Sequence, residues 1–138
     1  MKRFRELLKD ESGFTLTELL VVIVIIGLLA SLAIPKFMSV ITKAKTSEAK
    51  LMLKQVYDLE TAYYLENDLY TDNLSAIGFE QAKLKTEEGQ ARYKIEISEV
   101  SSTQFLARAI AVVDFDKDGT FNVWSVNQEG VIKEEVPD

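Results

Sequence analysis

The stretch Gly13-Phe14-Thr15-Leu16-Thr17-Glu18-Leu19-Leu20, continued by VVIVIIGLLASLAI to Pro35, decides the fold. From Leu19 to Pro35 no side chain carries a charge. About 17 residues rising 1.5 Å each make a helix of roughly 25 Å, near the lower limit for crossing a bilayer. The run therefore predicts a helix that enters a membrane. Its head is unusual for a plain anchor, because Glu18 places a carboxylate where insertion costs up to roughly 2.5 to 3.5 kcal/mol. That group needs a partner. Thr15-x-x-Glu18 offers one locally, since it matches the S/T-x-x-E/Q capping box in which both side chains satisfy free backbone N–H groups at a helix start.

On the N-terminal side, Lys2, Arg3 and Arg5 favour the cytoplasm by the positive-inside bias, so the chain beyond Pro35 is expected on the outer side of the membrane. Two plain readings compete for this region. A secretory signal peptide would use Ser31-Leu32-Ala33 as a small-x-small cleavage site, and an uncleaved anchor would use no site at all. The entrance glutamate and a helical pattern that runs on past Ala33 speak against both.

On the C-terminal side, Gly27 and Pro35 weaken the helix. Proline removes a backbone hydrogen bond and clashes with the preceding turn, at a cost on the order of 3 kcal/mol, so a bend or local melt is expected there. Residues 36–66 continue as an amphipathic helix whose stripe is Ala49, Met52, Leu53, Val56, Leu59 and Tyr63, with Lys50, Lys54 and Asp58 off it. Lys54 and Asp58 form an i,i+4 pair worth tenths of a kcal/mol. From Phe14 to about Glu66 the helix would be roughly 80 Å long. A compact head needs about half of that; the excess is expected to pack with other copies. Tyr57, Tyr63, Tyr64 and Tyr70, with Phe14 and Phe37, could form a stacked series, but aromatics at helical spacing read first as core.

Asn67 to Gln90 is punctuated by Asn, Asp, Gly and Ser and reads as a loop, with a short helical turn around Ser75 to Ala82. The segments ARYKIEISEV, TQFLARAIAVV, TFNVWSV and GVIKE alternate and are β-branched or aromatic, predicting an antiparallel sheet of about four strands with one face on the helix. The fold class is α+β, with one head over residues 67–138.

Composition limits the chemistry. The chain has 138 residues, net charge −6, no histidine and no cysteine. The commonest general base and nucleophile are absent, no Gly-rich phosphate loop occurs, and no disulfide or thiolate metal site can form. No enzyme is expected. Residues 1–13 hold four basic and three acidic residues, so their removal leaves 12 basic against 19 acidic residues, a net charge of −7. Direct nucleic-acid binding is not expected from an acidic head. The stretch Asp114-Phe115-Asp116-Lys117-Asp118-Gly119 matches the first half of a D-x-D-x-D-G calcium loop. The second half fails, because Ser125 stands where a bidentate glutamate belongs. The competing reading is a hairpin turn in which Asp118-Gly119 supplies the positive φ angles.

Gly13, Phe14, Glu18, the uninterrupted apolar run and Pro35, in this register, resemble the type IV prepilin motif shared by type IV pilins and type II secretion pseudopilins. The family usually has isoleucine or leucine where Thr17 stands. The resemblance implies a pilin-like fold. It also implies a leader over residues 1–13, cut after Gly13 by a prepilin peptidase, and N-methylation of Phe14. Residues 14–35 would be the transmembrane and assembly half of the helix, in which Glu18, Phe14, Gly27 and Pro35 serve polymerisation. In the family Glu18 would pair with a Phe14 amine to register an incoming subunit, and the helix breakers go with partial unwinding as subunits leave the membrane. The implied partners are copies of the chain in a helical filament, the peptidase and assembly machinery, and the inner membrane before assembly. YLENDLYTDNLSAIGF is similar to the family's variable αβ-loop. Major pseudopilins bind calcium in a C-terminal loop, which favours an ion at Asp114, Asp116 and Asp118 doing the clamping that a disulfide does in many pilins. The expected function is a subunit of a type IV pilus, with a type II secretion pseudopilin as alternative and a membrane-tethered, calcium-dependent binding module as a further one.

Overall fold

A computed structural model describes residues 13–137. It contains one long helix, α1, Leu16–Asn67, a single 3₁₀ turn at Lys85–Glu87, and strands β1 Tyr93–Val100, β2 Phe105–Ala111, β3 Val123–Asn127 and β4 Ile132–Val136. The expected leader lies outside the described residues except for Gly13. The chain divides into two compact units after Ser39.

In the first unit α1 begins at Leu16, so Phe14 precedes the helix. Every described residue up to Ser39 is exposed. Pro35 lies inside the helix, which continues through it. The expected local melt is therefore absent from the single chain: the missing N–H leaves the Ser31 carbonyl without its helical donor, but the turns on either side hold the helix together. Ser31 and Ser39 hydroxyls also donate to the Leu28 and Lys36 carbonyls, at 2.8 and 2.9 Å.

In the second unit the four strands form an antiparallel meander in the order β1-β2-β3-β4. Its inner face is set by strict alternation in β2, where Phe105, Ala107, Ala109 and Ala111 are buried. Three alanines in that row keep the sheet surface low. Ala49, Leu53 and Val56 of the helix join them, with Tyr93, Ile95 and Val126, in one core. Filling such positions with apolar side chains contributes roughly 1.5 to 3 kcal/mol each for the larger ones. Met52, Leu59 and Tyr63 are half-buried around this core. The stripe holds two residues that the apolar pattern leaves out: Thr46 is buried and Glu60 fully so.

The connection between α1 and β1 departs from expectation in detail. Its hydrogen-bonded turn spans residues 74–78 instead of Ser75 to Ala82, because the Asn73 side chain caps it, accepting the Ser75 and Ala76 N–H groups at 3.1 and 3.2 Å. The loop is pinned to the fold by three side chains. Glu60 accepts the Thr71 N–H at 3.3 Å. The Gln81 amide donates to the Tyr93 carbonyl and accepts from the Ile95 N–H, at 3.1 and 2.9 Å, and so imitates a neighbouring strand on the free edge of β1. Glu48 accepts from the Arg92 backbone at 2.7 Å and from its guanidinium at 3.1 Å.

At the other side of the head Asn122 is a fully buried hub. Its carbonyl oxygen accepts from the Tyr93 hydroxyl at 2.6 Å and the Trp124 indole at 2.7 Å. Its amide donates to Glu134 at 2.8 Å and to the Val136 carbonyl at 2.9 Å. One side chain thus ties β1 and β3 to the C-terminal strand. At Gly130, φ is +74°, and an added Cβ would lie 3.0 Å from the Tyr57 ring, so the β3–β4 turn needs a glycine.

Candidate assembly site at the head of the apolar helix

The site is built by the residues that start α1. Thr15 closes the first turn as the expected capping box: its N–H donates to Glu18 Oε2 at 2.8 Å, and its Oγ1 accepts the Glu18 N–H at 3.2 Å. The exchange fixes the carboxylate against the helix N-terminus, where the helix dipole favours a negative charge. Phe14, Thr17, Glu18, Val21 and Val22 line one shallow recess. Glu18 is exposed, and the Phe14 ring is 83% exposed. Capping and a second, external partner for the carboxylate are compatible, because the cap uses one oxygen of an exposed side chain.

Around this head the surface is apolar on all sides. An 18-residue window of the helix has mean hydropathy 2.7 and none of it is buried within the chain. By length and composition it is long and apolar enough to cross a membrane. At Gly27 an added Cβ would meet nothing within 4 Å, so the chain's own packing does not require that glycine. The structure thus brings Phe14 and Glu18 together, while Gly27 and Pro35 lie further along the helix. The alternative cleavage triplet Ser31-Leu32-Ala33 sits within α1.

The aspartate loop lies apart, in the head. It connects β2 to β3 over residues 112–122 and is no two-residue hairpin. Positive φ falls at Lys117 (67°) and Gly119 (90°), so the expectation for Asp118-Gly119 holds only at the glycine. The reason is Asp114, whose two oxygens accept the Lys117 N–H at 2.6 Å and the Gly119 N–H at 2.8 Å and curl the chain around the carboxylate. Those bonds, the Gly119 N–H foremost, hold its pKa below the usual carboxylate range. One carboxylate oxygen from each of Asp114, Asp116 and Asp118 lies within 4.8 Å of the others. Lys45 places its ammonium 4.8 Å from the centre of the Phe115 ring in the same loop.

The tyrosines near the end of α1 pack among themselves and on the core, as expected first of aromatics at helical spacing. Tyr64 stacks on Tyr70 at 4.6 Å and Tyr70 tilts against Phe105 at 4.9 Å, while Phe14 and Phe37 are exposed.

Residues 8–34 match the family model described as a prokaryotic N-terminal methylation motif. Residues 35–121 match the model described as type IV minor pilin ComP, DNA uptake sequence receptor. The chain belongs to the type IV pilin family. Among relatives, the Myxococcus xanthus type IV major pilin protein PilA is 46% identical over 67 residues, which are 49% of this pilin and 30% of that protein. The Neisseria gonorrhoeae type IV major pilin protein PilE is 27% identical over 123 residues, 89% of this pilin and 72% of that one. The type II secretion system core protein G of Pseudomonas aeruginosa is 42% identical over 62 residues, 45% of this chain and 44% of its own length. The matched residues thus span less than a third of the Myxococcus pilin and under half of the secretion protein. A crystal structure of the Neisseria meningitidis non-core minor pilin PilV shares the fold, with TM-score 0.52 at 17% identity over 71% of this chain and 90% of that one. The α+β arrangement of one long N-terminal helix on a four-stranded antiparallel sheet is therefore a pilin fold, in a family of structural, non-enzymatic proteins.

Proposed function

We propose that the chain is a structural subunit of a type IV pilus or a related helical surface filament. The observation that supports this most is an 18-residue apolar window with none of its residues buried in the chain, headed by a carboxylate. Such a surface needs a bilayer or other copies of itself to cover it. Cleavage after Gly13 and methylation of Phe14 would leave a cationic amine four residues before Glu18. The helix waits in the inner membrane with the head outside the cytoplasm. On extraction by a separate machine, Glu18 is neutralised by a neighbour's Phe14 amine, which removes the cost of carrying a bare carboxylate in an apolar bundle. The open space at Gly27 and the lost hydrogen bond at Pro35 make that part of the helix the place where close approach and unwinding cost least. Receiving DNA is not part of this proposal, because acidic residues outnumber basic ones over residues 35–121. Glu18→Ala tests the assembly role. Membrane insertion and leader cleavage should persist while incorporation into filaments falls at least tenfold; normal filaments from that variant alone would sink the role.

A pseudopilin of a type II secretion system is the second reading, and the aspartate loop favours it. Hard carboxylate oxygens suit calcium, and opposite ligands in a calcium shell stand about 4.6 to 5.2 Å apart, so the three at Asp114, Asp116 and Asp118 fit such an ion. Bound calcium would neutralise the crowded carboxylates and brace the β2–β3 connection. Millimolar calcium should then raise the unfolding temperature of the protein, and Asp116→Asn should remove the rise. An equal rise in the variant would discard the ion.

A further inference from the structure

Glu60 lies on the buried face of α1, four residues beyond Val56 and seven beyond Leu53, and is fully buried. Its Oε2 accepts the Thr71 N–H at 3.3 Å, eleven residues along the chain. Its Oε1 has no hydrogen-bond partner. A buried ionised carboxylate with an unpaired oxygen is among the costliest groups a fold can hold, and the usual outcome is that it takes up a proton. Among the described residues, the Thr71 N–H is the one group acting on Glu60 that favours its charged form. Asp72, in the loop, presents a like charge. Tyr70 is close enough that the charge of Glu60 raises its pKa, although burial is the larger cause and Tyr64 and Tyr57 also contribute. From the sheet, Phe105 packs its ring on Tyr70.

We propose that Glu60 is a proton-dependent latch: in its neutral form it holds the Tyr70–Thr71 segment against the helix, and on ionising it releases that segment to solvent. Burial raises the pKa of Glu60, the Thr71 N–H lowers it by a smaller amount, and Asp72 raises it further. Below the ordinary carboxylate range the group is neutral in folded and unfolded chain alike, and the latch is fully closed. As pH rises through the raised folded value, the proton leaves to solvent and the hold is lost. The Tyr70–Thr71 segment of the loop would then change its order with pH, independently of what the filament is for.

The test uses the full chain in detergent micelles, following the Glu60 side-chain carboxyl by NMR and hydrogen exchange at the Thr71 amide. Glu60 should titrate above the ordinary carboxylate range. Over the same interval Thr71 protection, corrected for intrinsic exchange, should fall by up to about tenfold per pH unit, the limit for one linked proton. Glu60→Gln keeps an acceptor for Thr71 and cannot ionise, so its protection should be flat. Asp72→Asn removes the like charge and should move the midpoint to lower pH, a second check that survives if Glu60→Gln fails to fold. An ordinary carboxylate titration, a Thr71 dependence that persists in Glu60→Gln, or an unmoved midpoint in Asp72→Asn would each overturn the latch.

Discussion

Leu29 and Leu53 stand on the same helix, yet Leu29 is 63% exposed and Leu53 is wholly buried. The contrast separates two kinds of apolar surface. Around Leu53 the chain supplies its own cover, from the alanine row of β2 and the side chains of β1 and β3. Around Leu29 it supplies none, on any side of the helix. One region is a finished core, and the other is half of an interface whose other half must come from lipid or from further copies of the pilin. A helix that is apolar all round is stable in water only when something encloses it, and the proposed filament would meet that need.

The sharpest way to break this comparison is to make one substitution in both places. Leu53→Ala should cost about 2 to 5 kcal/mol in denaturant unfolding of the micelle-held protein, through lost burial and the cavity left behind. Leu29→Ala should change the same measurement by less than about 0.5 kcal/mol, with its effect confined to filament yield. Equal losses would erase the distinction between core and interface.

Within the head, the C-terminal strand offers a finer comparison, between apolar packing and polar satisfaction. Asn122→Ala deprives the Tyr93 hydroxyl and Trp124 indole of their acceptor. It should cost about 1 to 3 kcal/mol, the range for buried partners left unsatisfied, and the accompanying change in Trp124 fluorescence reports it directly. A loss no greater than that of an exposed residue would mean that β4 is held by the ladder alone. Smallest of all should be Lys54→Ala, since the pair with Asp58 is exposed at both ends; unfolding should move by less than about 0.5 kcal/mol.

The same division explains what could be read from residues alone. The apolar run, the capping box and the strand alternation are local, with periods set by backbone geometry, and each appears where expected within three residues. Glu60, Gln81 and Asn122 act through partners 11 to 29 residues away, and no local pattern marks such pairs. Glu60 did leave a trace: positions 49, 53, 56 and 60 keep helical spacing, so a charged residue falling on the buried stripe was visible as a conflict. The aspartate loop misled for a related reason. Asp118-Gly119 resembles a hairpin turn, but the turn is drawn by the Asp114 carboxylate, which reaches forward to Lys117 and Gly119. Pro35 shows the opposite limit. A local melt was one expectation there, yet the helix runs through the proline with intact turns on both sides.

The most direct test of the filament account is the intact mass of the protein in sheared cell-surface material, compared with the membrane fraction. A pilus subunit should appear as a chain that begins at Phe14, carries one added methyl, and is abundant in the sheared filaments. The same processed species confined to the envelope would move the protein to the secretion pseudopilus, and an uncut chain in both fractions would contradict the account.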